Sequence, residues 1–187
     1  MDLKDASEAL REWHDFYLLA GTAAATLLGL LFIAVTLNAD LILAGSRPHT
    51  KRVAEQAFQN YITVLMLSMI FLVHGYPNRV IAVQMVVLSL VMTLWTVRRL
   101  RSALYVSDES FNKSRTLRRL LPSLLGYLLM LVFGWKLRDG LDTDDARVFA
   151  FAPILLLVSA TGTSWDLLVR VAEIRHNKGR ASSAAGE

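Results

Sequence analysis

Residues 17–37, YLLAGTAAATLLGLLFIAVTL, hold no charged side chain, and this constrains the chain more than any other feature. As a helix the stretch extends about 31 Å, which matches the roughly 30 Å hydrocarbon core of a bilayer. Four more apolar runs follow it, separated by short charged segments. The whole sequence is 54% hydrophobic and 19% charged, whereas a soluble domain carries about a quarter charged residues. Inside lipid no water pairs with the backbone, so the chain must satisfy its own N–H and C=O groups, and only helices or closed barrels do so. Runs of this length point to helices. The sequence predicts an all-α, polytopic transmembrane helix bundle.

Spans are expected at about 17–44, 57–76, 80–97, 120–135 and 148–165, within a bundle covering 17–176. The second is the least apolar, with Gln59 and Asn60 near its start. Without it there are four spans. Thr50, after Pro48, is the expected cap that starts this helix in water. The fourth span is short and bounded by Arg119 and Lys136, whose long side chains reach the interface. Pro122 and Pro153 fall near the starts of the fourth and fifth spans, where proline is tolerated. Residues 1–16 carry an apolar stripe of Leu3, Ala6, Leu10 and Trp13 continuing to Tyr17, the spacing of an amphipathic segment. It either lies along the interface or extends the first helix. These sixteen residues hold five acids against two bases, the reverse of a signal peptide's positive start, so the first apolar run is expected to be retained as a span. Residues 177–187 are expected to form a disordered tail.

Charge placement predicts the orientation. Residues 45–56, 98–119 and 170–187 hold fourteen of the 20 Lys and Arg. The N-terminal tail, the turn at Arg79 and the fourth connection (Lys136, Arg138, Arg147) hold the other six. Cytoplasmic loops are the Lys- and Arg-rich ones, so five spans put the N-terminus outside and the C-terminus inside. Tryptophan prefers the membrane–water interface. Trp13 and Trp135 fall at the expected outer ends and Trp95 and Trp165 at the inner ends, in agreement.

The same placement turns the net charge of +4 into a topology signal rather than a nucleic-acid footprint. The absence of cysteine rules out disulfides, thiolate metal sites and a cysteine nucleophile. His14, His49, His74 and His176 are scattered without metal-ligand spacing, and no phosphate-binding glycine loop or serine elbow occurs. No enzyme activity, cofactor or metal site is expected.

Two patterns share the first span. Gly21, Ala25 and Gly29 form a small-residue ridge at four-residue spacing, which lets helix backbones approach closely in lipid. Asp15, Thr22, Thr26, Gly29, Ile33, Thr36 and Asp40 step by sevens, fours and threes along one face. Around a symmetric axis that face would line a water-filled pore, with rings of carboxylates concentrating cations at its mouths. The competing reading has the threonines bonding back to their own helix. A further polar layer is expected at the cytoplasmic ends of three spans. It comprises Thr36, Asn38 and Asp40, then Gln59 with Glu55, Gln56, Asn60 and Thr63, then Asp166 with Thr161, Thr163 and Ser164. Intramembrane polar groups usually face a bundle interior, a cavity or an ion path. Simple pairing of Asp166 with Arg170, and of Glu55 with Lys51 or Arg52, would also account for the charges. The basic loop 98–119 is a candidate contact for anionic lipid.

The opening WHDFYLLAGTAAATLLGLLFIAVTLN resembles that of a group of small bacterial multi-pass membrane proteins over roughly the first 40 residues. The resemblance implies a bacterial cytoplasmic (inner) membrane and no particular activity. The small-rich first helix is also similar to the pore helix of Orai-type calcium channels. Those have four spans, and the step from their pore glycine to their acidic selectivity residue lands on Leu37, so no residue role carries over. The function expected from the sequence is a homo-oligomeric, cation-preferring pore or ion channel with its first helix on the axis. A non-conducting scaffold or regulatory subunit is the rival, and a small-solute carrier is third. The lipid bilayer and further copies of the chain are the expected partners, and nucleic acid is not.

Overall fold

The computed structural model describes residues 3–40, 48–73, 78–105, 113–139 and 148–184. Among them the chain is all-α, with five helices and no strand: α1 (Leu3–Leu37), α2 (Pro48–Leu72), α3 (Asn78–Tyr105), α4 (Lys113–Asp139) and α5 (Phe151–Ala184). Four are long and apolar enough to cross a membrane, over Trp13–Leu37, Arg79–Arg101, Leu120–Leu137 and Phe151–His176. These are the features of a multi-pass membrane protein. The helix that falls short is α2, which carries Gln59 and Asn60 near its middle.

Several boundaries differ from expectation. The amphipathic segment 1–16 is, from Leu3 onward, continuous with the apolar part of α1 as one helix. Helix α2 begins at Pro48 itself, because a first-turn proline sacrifices only an N–H that has no intrahelical partner. Thr50 therefore lies inside the first turn, buried, and does not cap it. The basic loop 98–119 is mostly helix, the end of α3 and the start of α4, with only 106–112 outside the described residues. Because α4 starts at Lys113, Pro122 sits in its interior; Pro153 stays in the first turn of α5. The expected disordered tail is helical as far as Ala184.

Helix α2 runs through the centre. It packs closely on α1 and α5; α5 packs on α4 and α4 on α3, while α1 and α5, and α2 and α3, touch less extensively. At one end an aromatic cluster joins α1, α2 and α4 through Phe149, which lies just before α5. Tyr17 stacks on Phe71 at 4.3 Å, Phe71 meets Phe149 at 5.8 Å, and Phe149 stacks on Phe133 at 3.9 Å. At the other end Leu31, Val53, Ala57, Tyr61, Ala160, Leu167 and Val171 unite α1, α2 and α5. Helix α2 therefore lies antiparallel beside α1 from Val53 to Phe71, about 27 Å along its axis.

Close crossings are made by small residues. A β-carbon on Gly134 would sit 2.9 Å from Val86 Cγ2 and 3.2 Å from the Val86 nitrogen, so glycine lets α4 lie against the α3 backbone. At the α1–α2 crossing, a β-carbon on Gly21 would sit 2.8 Å from Ser68 Cβ, and Ala20 and Ala24 are buried beside it. The packing ridge of α1 is thus Ala20, Gly21 and Ala24. Ala25 and Gly29 face outward, and a β-carbon on Gly29 would meet nothing within 4 Å. Residues four apart drift around an α-helix, so one straight ridge cannot stay on one interface.

Candidate functional site

Between the aromatic end and the aliphatic end lies a polar knot formed by three helices. Asn60 (α2), Ser123 and Tyr127 (α4) are at most 1% exposed, and Ser159 (α5) is 7% exposed. The Asn60 amide nitrogen donates to Ser123 Oγ at 2.8 Å and Ser159 Oγ at 3.3 Å. The two serine hydroxyls are 2.7 Å apart. The Tyr127 hydroxyl donates to Asn60 Oδ1 at 2.7 Å. The asparagine amide is thus used as donor and acceptor, and the cluster closes on itself. A satisfied network of this kind fixes the register of the three helices, and in a low-dielectric interior an unpaired member would be costly. One turn away, Tyr61 OH lies 3.3 Å from Thr161 Oγ1, and the Thr63 and Thr163 hydroxyls donate to carbonyls of their own helices.

A second polar arrangement joins α2 to α3 where they diverge. Arg99 Nη2 donates to Glu55 Oε2 at 3.1 Å, Lys51 Nζ lies 4.0 Å from Glu55, and the Arg99 guanidinium sits 4.9 Å over the Trp95 ring. Toward the bundle centre, Gln59 Nε2 donates to Met92 Sδ at 3.2 Å, and a thioether is a weak acceptor. These residues edge a groove of about 570 Å³. Leu31, Phe32 and Val35 of α1 form one wall, Phe58 and Ile62 of α2 the floor, and Met92 and Trp95 of α3 the other wall. Lys51, Glu55 and Arg99 surround its mouth.

The sequence-predicted residues divide between these places and the surface. Asp15, Thr22, Thr26, Gly29, Ile33, Thr36 and Asp40 are all exposed. The Thr22, Thr26 and Thr36 hydroxyls donate to the carbonyls of Leu18, Thr22 and Phe32 at 2.8, 2.9 and 3.0 Å. Asp15 lies 3.4 Å from His14 Nδ1. Asn38 is half-buried and folds back onto the Ala34 carbonyl at 2.8 Å. Gln59 is buried and lines the groove. Asp166 is half-buried and makes no ion pair with Arg170 within 4 Å. The expected single inner layer is therefore not one site: Asn60 and Gln59 turn inward, while Asp40 does not join them. Ser123, Tyr127 and Ser159 were missed because a lone serine or tyrosine in an apolar run barely lowers hydropathy. Arg99 read as part of a stop signal, and its bond to Glu55 spans 44 residues of sequence.

No protein-family model, curated protein or solved structure matches this chain.

Proposed function

We propose that the protein is a homo-oligomeric, cation-preferring pore of a bacterial cytoplasmic membrane, with α1 of each copy lining the axis. The observation that carries this reading is the direction of the α1 stripe. The buried side of α1 is formed by Tyr17, Ala20, Gly21, Ala24 and Leu31. At 3.6 residues per turn, Thr22, Thr26, Gly29, Ile33 and Thr36 lie on the opposite side. A helix facing only lipid presents its most apolar side there. Here the outward side carries three hydroxyls and a glycine beside the exposed Ile33, and the exposed Leu18, Leu19, Leu30, Phe32 and Leu37 flank them. Asp15 and Asp40 stand exposed near the two ends of the stripe, where carboxylate rings would gather cations.

The topology belonging to this reading has five spans, N-terminus outside and C-terminus inside. Helix α2 is the fifth span. Its length beside α1 supports a full crossing, and its low hydropathy follows from Gln56, Gln59, Asn60, Thr63 and Ser68 all being buried against other helices rather than set in lipid.

The rival is a non-conducting scaffold or regulatory subunit. It draws on the threonine hydroxyls, which are already bonded within α1 and so do not require water. Purified protein in liposomes separates the two. A pore passes monovalent cations down a gradient, and Asp40→Asn changes their selectivity over anions. Absence of flux under every gradient, or a stable monomer in mild detergent, sinks the pore.

A further inference from the structure

We infer that the groove between α1, α2 and α3 is a binding site for one anionic membrane phospholipid, whether or not α1 lines a pore. Shape and charge run along the same axis. From Lys51 at the mouth to Ile62 at the floor, α2 rises about 16 Å, roughly the depth of one leaflet of the hydrocarbon core. Over that depth Val35, Phe58, Ile62 and Met92 offer an apolar channel suited to an acyl chain. The mouth carries two cations and one carboxylate, Lys51, Arg99 and Glu55, and so a net charge of +1. Arg52, Arg98 and Arg101 stand exposed at the same end of α2 and α3. Each basic residue near a membrane surface attracts anionic headgroups.

The Glu55–Arg99 contact does not cancel this attraction. It holds the guanidinium beside Trp95 at the rim, while Lys51 reaches into solvent with its side chain 60% exposed. The groove volume, about 570 Å³, falls within the range of ligand-sized clefts. Met92 and Gln59 give the groove one polar contact that tolerates rearrangement, since thioethers adapt to irregular shapes.

Native mass spectrometry of the delipidated full chain, titrated with phosphatidylglycerol or phosphatidylcholine, tests the site. One phosphatidylglycerol should bind per chain, at least fivefold tighter than phosphatidylcholine. Lys51→Glu, a surface change, should weaken phosphatidylglycerol about fivefold or more. Val35→Trp, which fills the channel, should weaken both lipids; if that variant fails to fold, Lys51→Glu decides. Equal binding of the two lipids, no saturable first lipid, or indifference to Lys51→Glu would overturn the inference. So would a dimer that forms only as lipid is excluded from the groove, since a second copy would then be the occupant.

Discussion

The neighbouring helices α1 and α2 both carry polar side chains, hydroxyls on α1 and hydroxyls with amides on α2, and they use them in opposite ways. On α2 the polar residues point into the bundle. Asn60 binds two other helices through Ser123, Ser159 and Tyr127, and Gln59 reaches Met92. On α1 the threonines point out of the bundle and bond to their own backbone. The inward set cross-links helices that have little hydrophobic reason to associate in lipid. The outward set bonds only within α1 and joins it to no other helix of the bundle. One kind of residue therefore holds structure in α2 and marks a candidate functional face in α1.

The contrast breaks first at Asn60. Asn60→Leu leaves two serines and a tyrosine without their shared partner, and should destabilise the bundle by about 2–3 kcal/mol, measured by reversible unfolding in mixed detergent micelles. A loss below about 0.5 kcal/mol would mean that the knot does not hold the helices. Gly21→Val comes next, because its side chain meets Ser68 at the α1–α2 crossing. Overpacking there should cost about 1–3 kcal/mol. Gly29→Val on the outward side should leave unfolding of the subunit nearly unchanged while reducing self-association or flux, read by cross-linking and liposome assays. Equal effects of the two glycine variants on subunit stability would erase the distinction between the faces.

Smaller effects sharpen the comparison. Tyr127→Phe removes one bond of the knot and should cost about 1 kcal/mol. Ser68 is 1% exposed, and its hydroxyl has no hydrogen-bond partner among the described residues. Ser68→Ala should therefore be neutral or stabilise by up to about 1 kcal/mol, the reverse of the sign at Asn60 on the same helix. Thr26→Val should change subunit stability least of all, within about 0.5 kcal/mol, so any change it makes in ion flux reports on the outward face.

Much of the helical layout was legible because bilayer thickness and backbone hydrogen bonding leave few options for long uncharged runs. The runs at 17–44, 80–97, 120–135 and 148–165 each correspond to a long helix, with α3, α4 and α5 extending into charged sequence at one or both ends. Hydropathy stops at the first arginines, whereas helical hydrogen bonding continues through Arg98–Arg101 and past Lys136. The α1 stripe was legible from spacing. Its direction was not: Gly21, Ala25 and Gly29 form one pattern in sequence, yet Gly21 is a helix crossing and Gly29 is open space.

The amino-acid sequence by itself determined that this chain folds as long helices, several of them fit for lipid, and that α1 has a small and hydroxyl-bearing side. Those properties are local: they depend on which residues follow one another within a turn or a span. Only the tertiary structure decided that Asn60 meets Ser123, 63 positions away, and Ser159, 99 positions away. It likewise decided that Glu55 takes Arg99 in addition to Lys51, and that the polar helix α2 is the central one. Those outcomes depend on which faces of distant helices come together, and a polar side chain in lipid is directed by the partner it finds there, which its own neighbours in sequence do not specify.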